Sequence, residues 1–541
     1  MKKIIYITIL IIFSSQTNAQ NIHTTNQWQD DLRYLQDKVH KDYSNLFHKI
    51  TKDDFDKTVE AFYTKIPSMQ DAEIKVAFAE LVALFGYGHT ALWLTGWQYN
   101  STTNFLQLPY NLYWFEDGIF IQGVHKDYKE SIGAQVIKIE NMPIASAIDA
   151  VKSVVSSEND QFFKGIGLSY LGVPEVMRAK NIITDISKVT LTLEKNGKQF
   201  EVTFKPFKSN EFPGSYGIVQ TQGDWLAAHP SKNTPLWLKN FDEGYYYEYI
   251  EETKTVFVRQ STVFNGPESI EIFYKRVFEF IENNDVEMLI IDLRLNGGGN
   301  NHNNKSVITG IIQSKKINQK GRLFVVLGRR TFSAAQNLVN EIENYTQAIF
   351  VGEPTAENVN FYGDARFETL PNSQLPIRLS WAWWQDMNPR DTRVWTAPHI
   401  PVELSFKDYR SNYDPIIQTI SLTAEIEIKI NDFFDSNNIE EFKKYIEKYS
   451  KDVNYGFYNF EAKVNAFGYQ LINIAKIDDA ISIFLFNTVL YPESQNVWDS
   501  LAESYWKSGN IVKAKEFYNK VINMDPNGHT AENAKNMLSE M

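Results

Sequence analysis

The chain has 541 residues, 43% of them hydrophobic and 22% charged, with a formal net charge of −12 and no cysteine. That length exceeds one ordinary core and predicts several domains, while the composition excludes a wholly disordered chain. An acidic balance without a basic tract argues against a nucleic-acid partner, and the absence of cysteine excludes disulfides, a lipid-modified cysteine and a thiol nucleophile.

The first residues, "MKKIIYITILIIFSSQTNAQ", carry two lysines, an apolar run from Ile4 to Phe13, and Thr17 and Ala19 at small-residue spacing before Gln20. This pattern reads as a cleaved signal peptide over 1–19, hence an exported protein, periplasmic or secreted. A membrane anchor is the competing reading, but the apolar run is roughly half the ~20 residues a span needs, so no stable span is expected after cleavage. Residues 20–95 read as an N-terminal helical domain, from the helical spacing in "WQDDLRYLQDKVHKDYSNLF" and "DAEIKVAFAELVALF". It ends in "GYGHTALW", where Gly86 and Gly88 stop the helix and His89 leads into a short β-rich run.

Residues 106–205 change to strand patterns, "YNLYWFEDGIFIQGV" and "KVTLTLEKNGKQFEVTFKP", the second a hairpin with an Asn-Gly turn at 196–197. Between them "IGAQVIKIENMPIASAIDAV" places a glycine, a β-run, a turn and a helix in the order of a PDZ domain, which it resembles, with Glu140-Asn141 where Asn-Gly is usual. Residues 206–420 hold a region of alternating strands and helices: "KTVFVRQ", helix 267–283, "VEMLIIDLR", helix 303–315, "RLFVVLG", helix 333–345 and "AIFVGE". Strands separated by crossover helices predict a parallel, layered α/β core. The tail, 425–541, is helical and repetitive. Ala480 and Ala514, Phe484 and Tyr518, and Pro492 and Pro526 are each 34 apart, the tetratricopeptide period, and residues 427–460 offer a degenerate third unit. Such a tail either docks a protein partner or caps the fold.

The chemistry-bearing pattern lies in the α/β core. A serine hydroxyl is a poor nucleophile at neutral pH without a base and a site for the developing oxyanion. Ser333, in "FVVLGRRTFSAAQNLVNEIE", stands where a strand turns into a helix, so the N-terminal N–H groups, that of Ala334 above all, lie beside its oxygen. Serine is also a common N-cap residue, and spacing alone favours that reading. The second piece, "LIIDLRLNGGGN", ends a buried strand in Asp292 and Arg294, then Asn296 and three glycines that permit a tight turn at the sheet's carboxyl edge. A phosphate loop is the alternative there, but no Gly-Lys-Ser/Thr follows.

Taken together, "DLRLNGGG", "TFSAAQ", "VGEPTAENVNFYGD", the "GHT" after a helical domain and the closing "APHIPVELSFKDYRSNYDPIIQ" resemble the tail-specific, or C-terminal-processing, serine peptidase family over most of residues 24–420. The resemblance implies a multidomain α/β protein: a helical domain, a PDZ-like β-rich domain, a layered α/β peptidase core (ClpP/crotonase-like) and a C-terminal α-helical tetratricopeptide solenoid. It implies Ser333 as nucleophile, with the N–H groups of Ala334 and of Gly298 as oxyanion hole. Where the Ser-Lys branch has its lysine, "GEPTAEN" puts Asn358, whereas the tricorn-like branch takes a histidine from the helical domain, and His89 occupies that place. His302 and His399 are second-rank candidates.

Tyr87, Gly88 and Gln336 depart from the family pattern, so the residue that would orient the histidine is unassigned, with Glu353, Asp364 and Asp391 as candidates. The aromatic stretch "RLSWAWWQDMNPRDTRVW" is a candidate lining for an apolar peptide tail and Arg294 for its carboxylate, or else Arg294 is an Arg-Asp strut. No spacing calls for a metal or other cofactor. The expected activity is peptide-bond hydrolysis. The alternatives are an inactive relative acting as a binding or scaffolding module, and carbohydrate binding through the tryptophans.

Overall fold

The structure is a computed structural model that describes residues 23–95, 103–208, 212–452, 455–456 and 458–541. The expected leader, residues 1–19, lies outside the described residues. Among the described residues no helix is long and apolar enough to cross a membrane.

Helical spacing in the first region becomes α1 (Thr25–Asp42), α2 (Lys52–Lys65) and α3 (Asp71–Ala83). Side-chain caps fix two of the starts: Thr24 accepts the Gln27 N–H in a reciprocal capping box, and Thr51 accepts that of Asp54. Their apolar faces bury Trp28, Leu32, Phe55 and Phe78. Asp31, on the inner side of α1, accepts the backbone N–H groups of Asn372 and Ser373 at 2.8 Å each, which clamps the tip of a distant hairpin to the helices.

The β-rich region contains β1 (Tyr110–Phe115), β2 (Gly118–His125), β3 (Gln135–Ile139), α4 (Ile144–Val151), α5 (Asp160–Ile166), α6 (Pro174–Ala179), β4 (Val189–Lys195) and β5 (Lys198–Phe204). The strands form an antiparallel sheet in the order β1-β2-β3-β4-β5, and Asn196 and Gly197 turn the last hairpin with positive φ as the Asn-Gly signal requires. Two features go beyond the sequence reading. A further strand, β6 (Trp225–Ala227), joins beside β2 from past residue 205, and α5 leaves the sheet to pack against the α/β core, Phe162 lying 5.0 Å from Phe332.

The core is a six-stranded sheet of β7 (Tyr245–Ile250), β8 (Thr255–Gln260), β9 (Met288–Asp292), β10 (Leu323–Leu327), β11 (Ile349–Gly352) and β14 (Ile400–Pro401), in that order and parallel from β8 onward. Its crossover helices are α7 (Ile270–Asn283), α8 (Asn304–Gln313) and α9 (Ala334–Tyr345). Period-two alternation sends Val256, Val258, Leu289, Ile291, Leu323 and Val325 to the face those helices cover, and Phe257, Ile290, Phe324 and Val326 to the other. Between β11 and β14 a hairpin, β12 (Asn360–Thr369) with β13 (Pro376–Gln385), stands out of the sheet toward the N-terminal helices.

The second sheet face is covered by α10 (Pro415–Ser436), whose Ile416 and Ile420 pack on the sheet while Ile426, Ile430 and Phe433 begin the core of the tail. The tail continues as α11 (Ile439–Tyr449), α12 (Phe460–Asn473), α13 (Ile477–Leu490), α14 (Gln495–Lys507), α15 (Ile511–Met524) and α16 (His529–Ser539). Residues 34 apart occupy like places: Ala480 and Ala514 are both fully buried, as are Phe484 and Tyr518.

Candidate active site

β10 ends at Leu327, and the turn Gly328–Phe332 delivers Ser333 to the start of α9. Thr331 stitches this turn to the glycine loop by donating its hydroxyl to the Leu293 carbonyl at 2.9 Å, and the Phe332 N–H reaches the Asn296 carbonyl at 3.1 Å. Ser333 takes φ +58 and ψ −128, a left-handed backbone that a non-glycine residue adopts at a cost of about 1–3 kcal/mol. Its side chain does not cap α9. Instead Oγ lies 2.8 Å from His89 Nε2.

His89 arrives from the segment after α3, which pairs with the hairpin: Ala91 and Arg378 exchange both backbone hydrogen bonds at 3.0 Å, and Thr90 Oγ1 meets Ser380 Oγ at 2.6 Å. The imidazole is 5% exposed and lies between aromatic rings, Phe332 at 4.4 Å and Phe361 at 5.9 Å, both nearly parallel to it. Burial, with the Arg378 charge adding to it, pushes its pKa down to about 3, so the ring is neutral at physiological pH.

The third member of the group is Glu357, fully buried on the loop between β11 and β12. Its Oε2 accepts the Ser333 N–H at 2.9 Å and stands 3.6 Å from His89 Nδ1, the ring atom on the far side from the serine. That separation is slightly beyond hydrogen-bond length. Burial first, then a neighbouring carboxylate, raises Glu357 well above the ordinary carboxyl range.

None of the acids named from the sequence stands beside His89 Nδ1; Glu357 occupies that place instead. Glu353 is bound to Arg329, with Nε at 2.8 Å from its carboxylate, and belongs to a buried ion pair. Asp391 is held by Arg393, 3.0 Å from Nε. Asp364, at φ +48 in the hairpin, lines the openings beside Ser333. Arg294 proves to be the strut, 2.9 Å from both Asp292 and Asp414. Sequence reasoning passed over Glu357 because it fixed on the adjacent Asn358, the place of the family lysine. His399 accepts the Phe350 N–H at 2.8 Å and stacks on that ring, and exposed His302 lines a side pocket.

Beside Ser333, Gly298 is packed so closely that a Cβ there would meet the Ser333 Cβ at 2.6 Å and the Phe332 carbonyl at 2.8 Å, and its φ is +97. The Gly298 N–H, however, is taken by Asn296 Oδ1 at 2.9 Å. The Ala334 N–H meets no acceptor among the described residues. Gly299 lines the openings on both sides of Ser333. One is a cleft of about 580 Å³ lined by apolar Trp93, Phe162, Ile166 and Phe264 together with the charged Arg330 and Arg378. The other, about 300 Å³, is lined by Asn301, His302, Asn337 and Trp384. Of the aromatic stretch, Trp381 and Trp383 stand in solvent, and Trp384 reaches this second opening.

No protein-family model matches the chain, and no curated protein sequence does. Solved structures do. Mature CPAF complexed with lactacystin aligns over 74% of this chain and 98% of its own, at 12% identity and a TM-score of 0.51. A CPAF point mutant aligns over 75% and 98%, at 11% identity and a TM-score of 0.52. The photosystem II D1 C-terminal processing protease covers 70% and 92% at 10% identity, with a TM-score of 0.34, a likeness too weak to carry weight. The chain thus has the fold of CPAF, with its helices and mixed sheets, and such a likeness speaks to fold alone.

Proposed function

We propose that this chain is an exported serine peptidase in which Ser333 attacks a peptide carbonyl and His89 accepts its proton. The observation that carries the reading is the 2.8 Å approach of His89 Nε2 to Ser333 Oγ, from segments 244 residues apart, at a strained strand-to-helix turn. A neutral imidazole has a lone pair for the hydroxyl proton, and Glu357 behind it fixes the ring and faces the charge that forms. The Ala334 N–H is the first donor to the oxyanion. The second comes from the glycine loop: Gly299 as it stands, or Gly298 once Asn296 releases its N–H.

As the carbonyl becomes tetrahedral, the proton moves from Oγ to Nε2, and His89 returns it to the departing amine. Water then repeats the sequence on the acyl-enzyme. The openings on both sides of Ser333 support an extended peptide or protein substrate crossing the serine, with Trp93, Phe162, Ile166 and Phe264 offering apolar contacts and Arg330 and Arg378 polar ones in the larger cleft. The antiparallel sheet of residues 110–227 is read as PDZ-like, and α12–α16 as tetratricopeptide units that offer a surface to a protein partner, the repeat spacing supporting the latter.

The test is a fluorophosphonate probe with the full chain, followed by peptide mapping. Covalent labelling at Ser333, lost in Ser333→Ala together with hydrolysis of a peptide library, is the expected result. Unlabelled protein, or turnover that survives Ser333→Ala, removes the mechanism.

A further inference from the structure

One buried carboxylate at the site has no part in the mechanism above. Glu158, 8% exposed, directly precedes Asn159, the N-cap of α5, and nothing in the sequence marked it. Its oxygens accept the Gly88 N–H at 3.3 Å and the Asn358 N–H at 3.4 Å, so it touches the neighbours of both His89 and Glu357. Its carboxyl lies against that of Glu357, and His89, Glu158 and Glu357 bring donor or acceptor atoms within 4.8 Å of one another. Two buried carboxyls this close cannot both be charged without mutual repulsion in a poorly solvated site, so one of them carries a proton.

The remaining contacts say which one. Both Glu158 oxygens accept backbone N–H groups, an arrangement that favours the charged form, whereas Glu357 Oε1 is buried and meets no N–H or O–H donor among the described residues. Glu357 Oε1 is therefore the oxygen with room for hydrogen. The groups facing the pair are His89 on one side and Tyr87 and Lys49 on the other, with Arg378 acting on His89 from the hairpin. Burial raises both acids, and Lys49 draws both the opposite way.

We infer that Glu158 and Glu357 hold one proton between them, which sits on Glu357 while His89 is neutral and passes to Glu158 when His89 becomes cationic. Glu158 is thus a positioning residue, acting on His89 through Glu357, and the inference rests on the peptidase reading for its consequence. The step balances: Oγ bonds to the carbonyl carbon, the carbonyl π pair goes to oxygen, and the Oγ proton goes to Nε2. The shared proton moves from Glu357 to Glu158, and the pair carries a single negative charge before and after. The orienting acid is then fully charged only while an imidazolium stands beside it, which spares the resting site two adjacent buried carboxylates.

Two measurements on the full chain test this. Infrared difference spectra at pH 8 should show one carboxylic-acid C=O band in the wild type that is absent from both Glu158→Gln and Glu357→Gln and retained in Glu158→Asp and Ser333→Ala. A band unchanged in the two glutamine variants overturns the inference, whatever the serine does. Should Glu158→Gln fail to fold, Glu357→Gln reads the same band. The second measurement is the pH profile of fluorophosphonate labelling. Glu158→Gln leaves Glu357 permanently charged beside His89, so its acid limb should move up by about one pH unit. Were both acids ionised at rest, the same variant would remove a negative charge and move the limb down, which contradicts the pair. Wild-type protein that shows the band yet takes no probe keeps the shared proton and removes the peptidase reading.

Discussion

Two groups of buried charge sit at the carboxyl edge of the same parallel sheet, and they are built on opposite rules. In one, Arg294 bridges Asp292 and Asp414, and beside it Arg329 grips Glu353, so each guanidinium is answered by carboxylate. In the other, Glu357 stands against Glu158 and a neutral His89, leaving His89 Nδ1 and Glu357 Oε1 without a hydrogen-bond partner among the described residues. Opposite charges in full pairing lock a loop. Like charges with spare valences store a position for a proton, and buried groups of that kind gather where chemistry happens.

The comparison breaks most sharply at Glu357. Replacing it by glutamine keeps the shape of the loop but removes the charge facing the imidazolium, and the fluorophosphonate labelling rate of Ser333 should fall between about 10² and 10⁴-fold. A change under threefold would place Glu357 with the structural charges. Arg294→Ala should do the reverse: it strands Asp292 and Asp414 inside the protein and costs about 3–5 kcal/mol of stability in denaturant unfolding. The labelling rate per folded molecule should stay within about twofold.

A milder effect is read from pH alone. Because burial and then Arg378 hold His89 below the ordinary histidine value of about 6.5, the imidazole stays neutral as pH falls through that value. The wild-type labelling rate should therefore hold its plateau below pH 6.5 before declining. A decline centred at 6.5 or above would show an imidazole already stabilised as a cation, and with it a Glu357 charged at rest.

Much of this was legible from local pattern. Alternating apolar runs with crossover helices gave the core, because each strand buries both faces and each helix one, and those periods are written in consecutive residues. The 34-residue spacing exposed the tail for the same reason. Ser333 was singled out by the strand-to-helix join and His89 by its glycine-flanked turn, both local features, and the family resemblance joined the two. The acid beside His89 was not singled out, since Arg329, 24 residues before it, claims Glu353, and the side-chain direction that ties Asp391 to Arg393 two residues on is no feature of sequence. Glu158 lay deeper still, on a segment that reaches the core only because α5 leaves its own sheet. The Gly298 N–H went the same way, for Asn296 lies two residues before it and its side-chain direction is no feature of sequence.

The smallest effect is expected at Asp391, and it is the finest probe of the contrast. Its carboxylate accepts the Arg393 backbone N–H at 3.1 Å and its Nε at 3.0 Å, and Arg393 reaches on to Glu343 at 2.9 Å. The segment that follows does brace the site, since the Val359 N–H meets the Arg393 carbonyl at 3.2 Å and the Thr355 N–H that of Thr396 at the same distance, on either side of Glu357. Those bonds are backbone to backbone, and the Asp391 charge takes no part in them. Asp391→Asn keeps an oxygen for the Arg393 N–H and gives up a pairing that solvent already screens, so stability should move by less than about 1 kcal/mol and labelling by less than about twofold. A loss approaching that of Glu357→Gln would mean that the arginine-paired carboxylates steer the imidazole through the loop, and the division between locking charges and reacting charges would fail at its nearest point of contact.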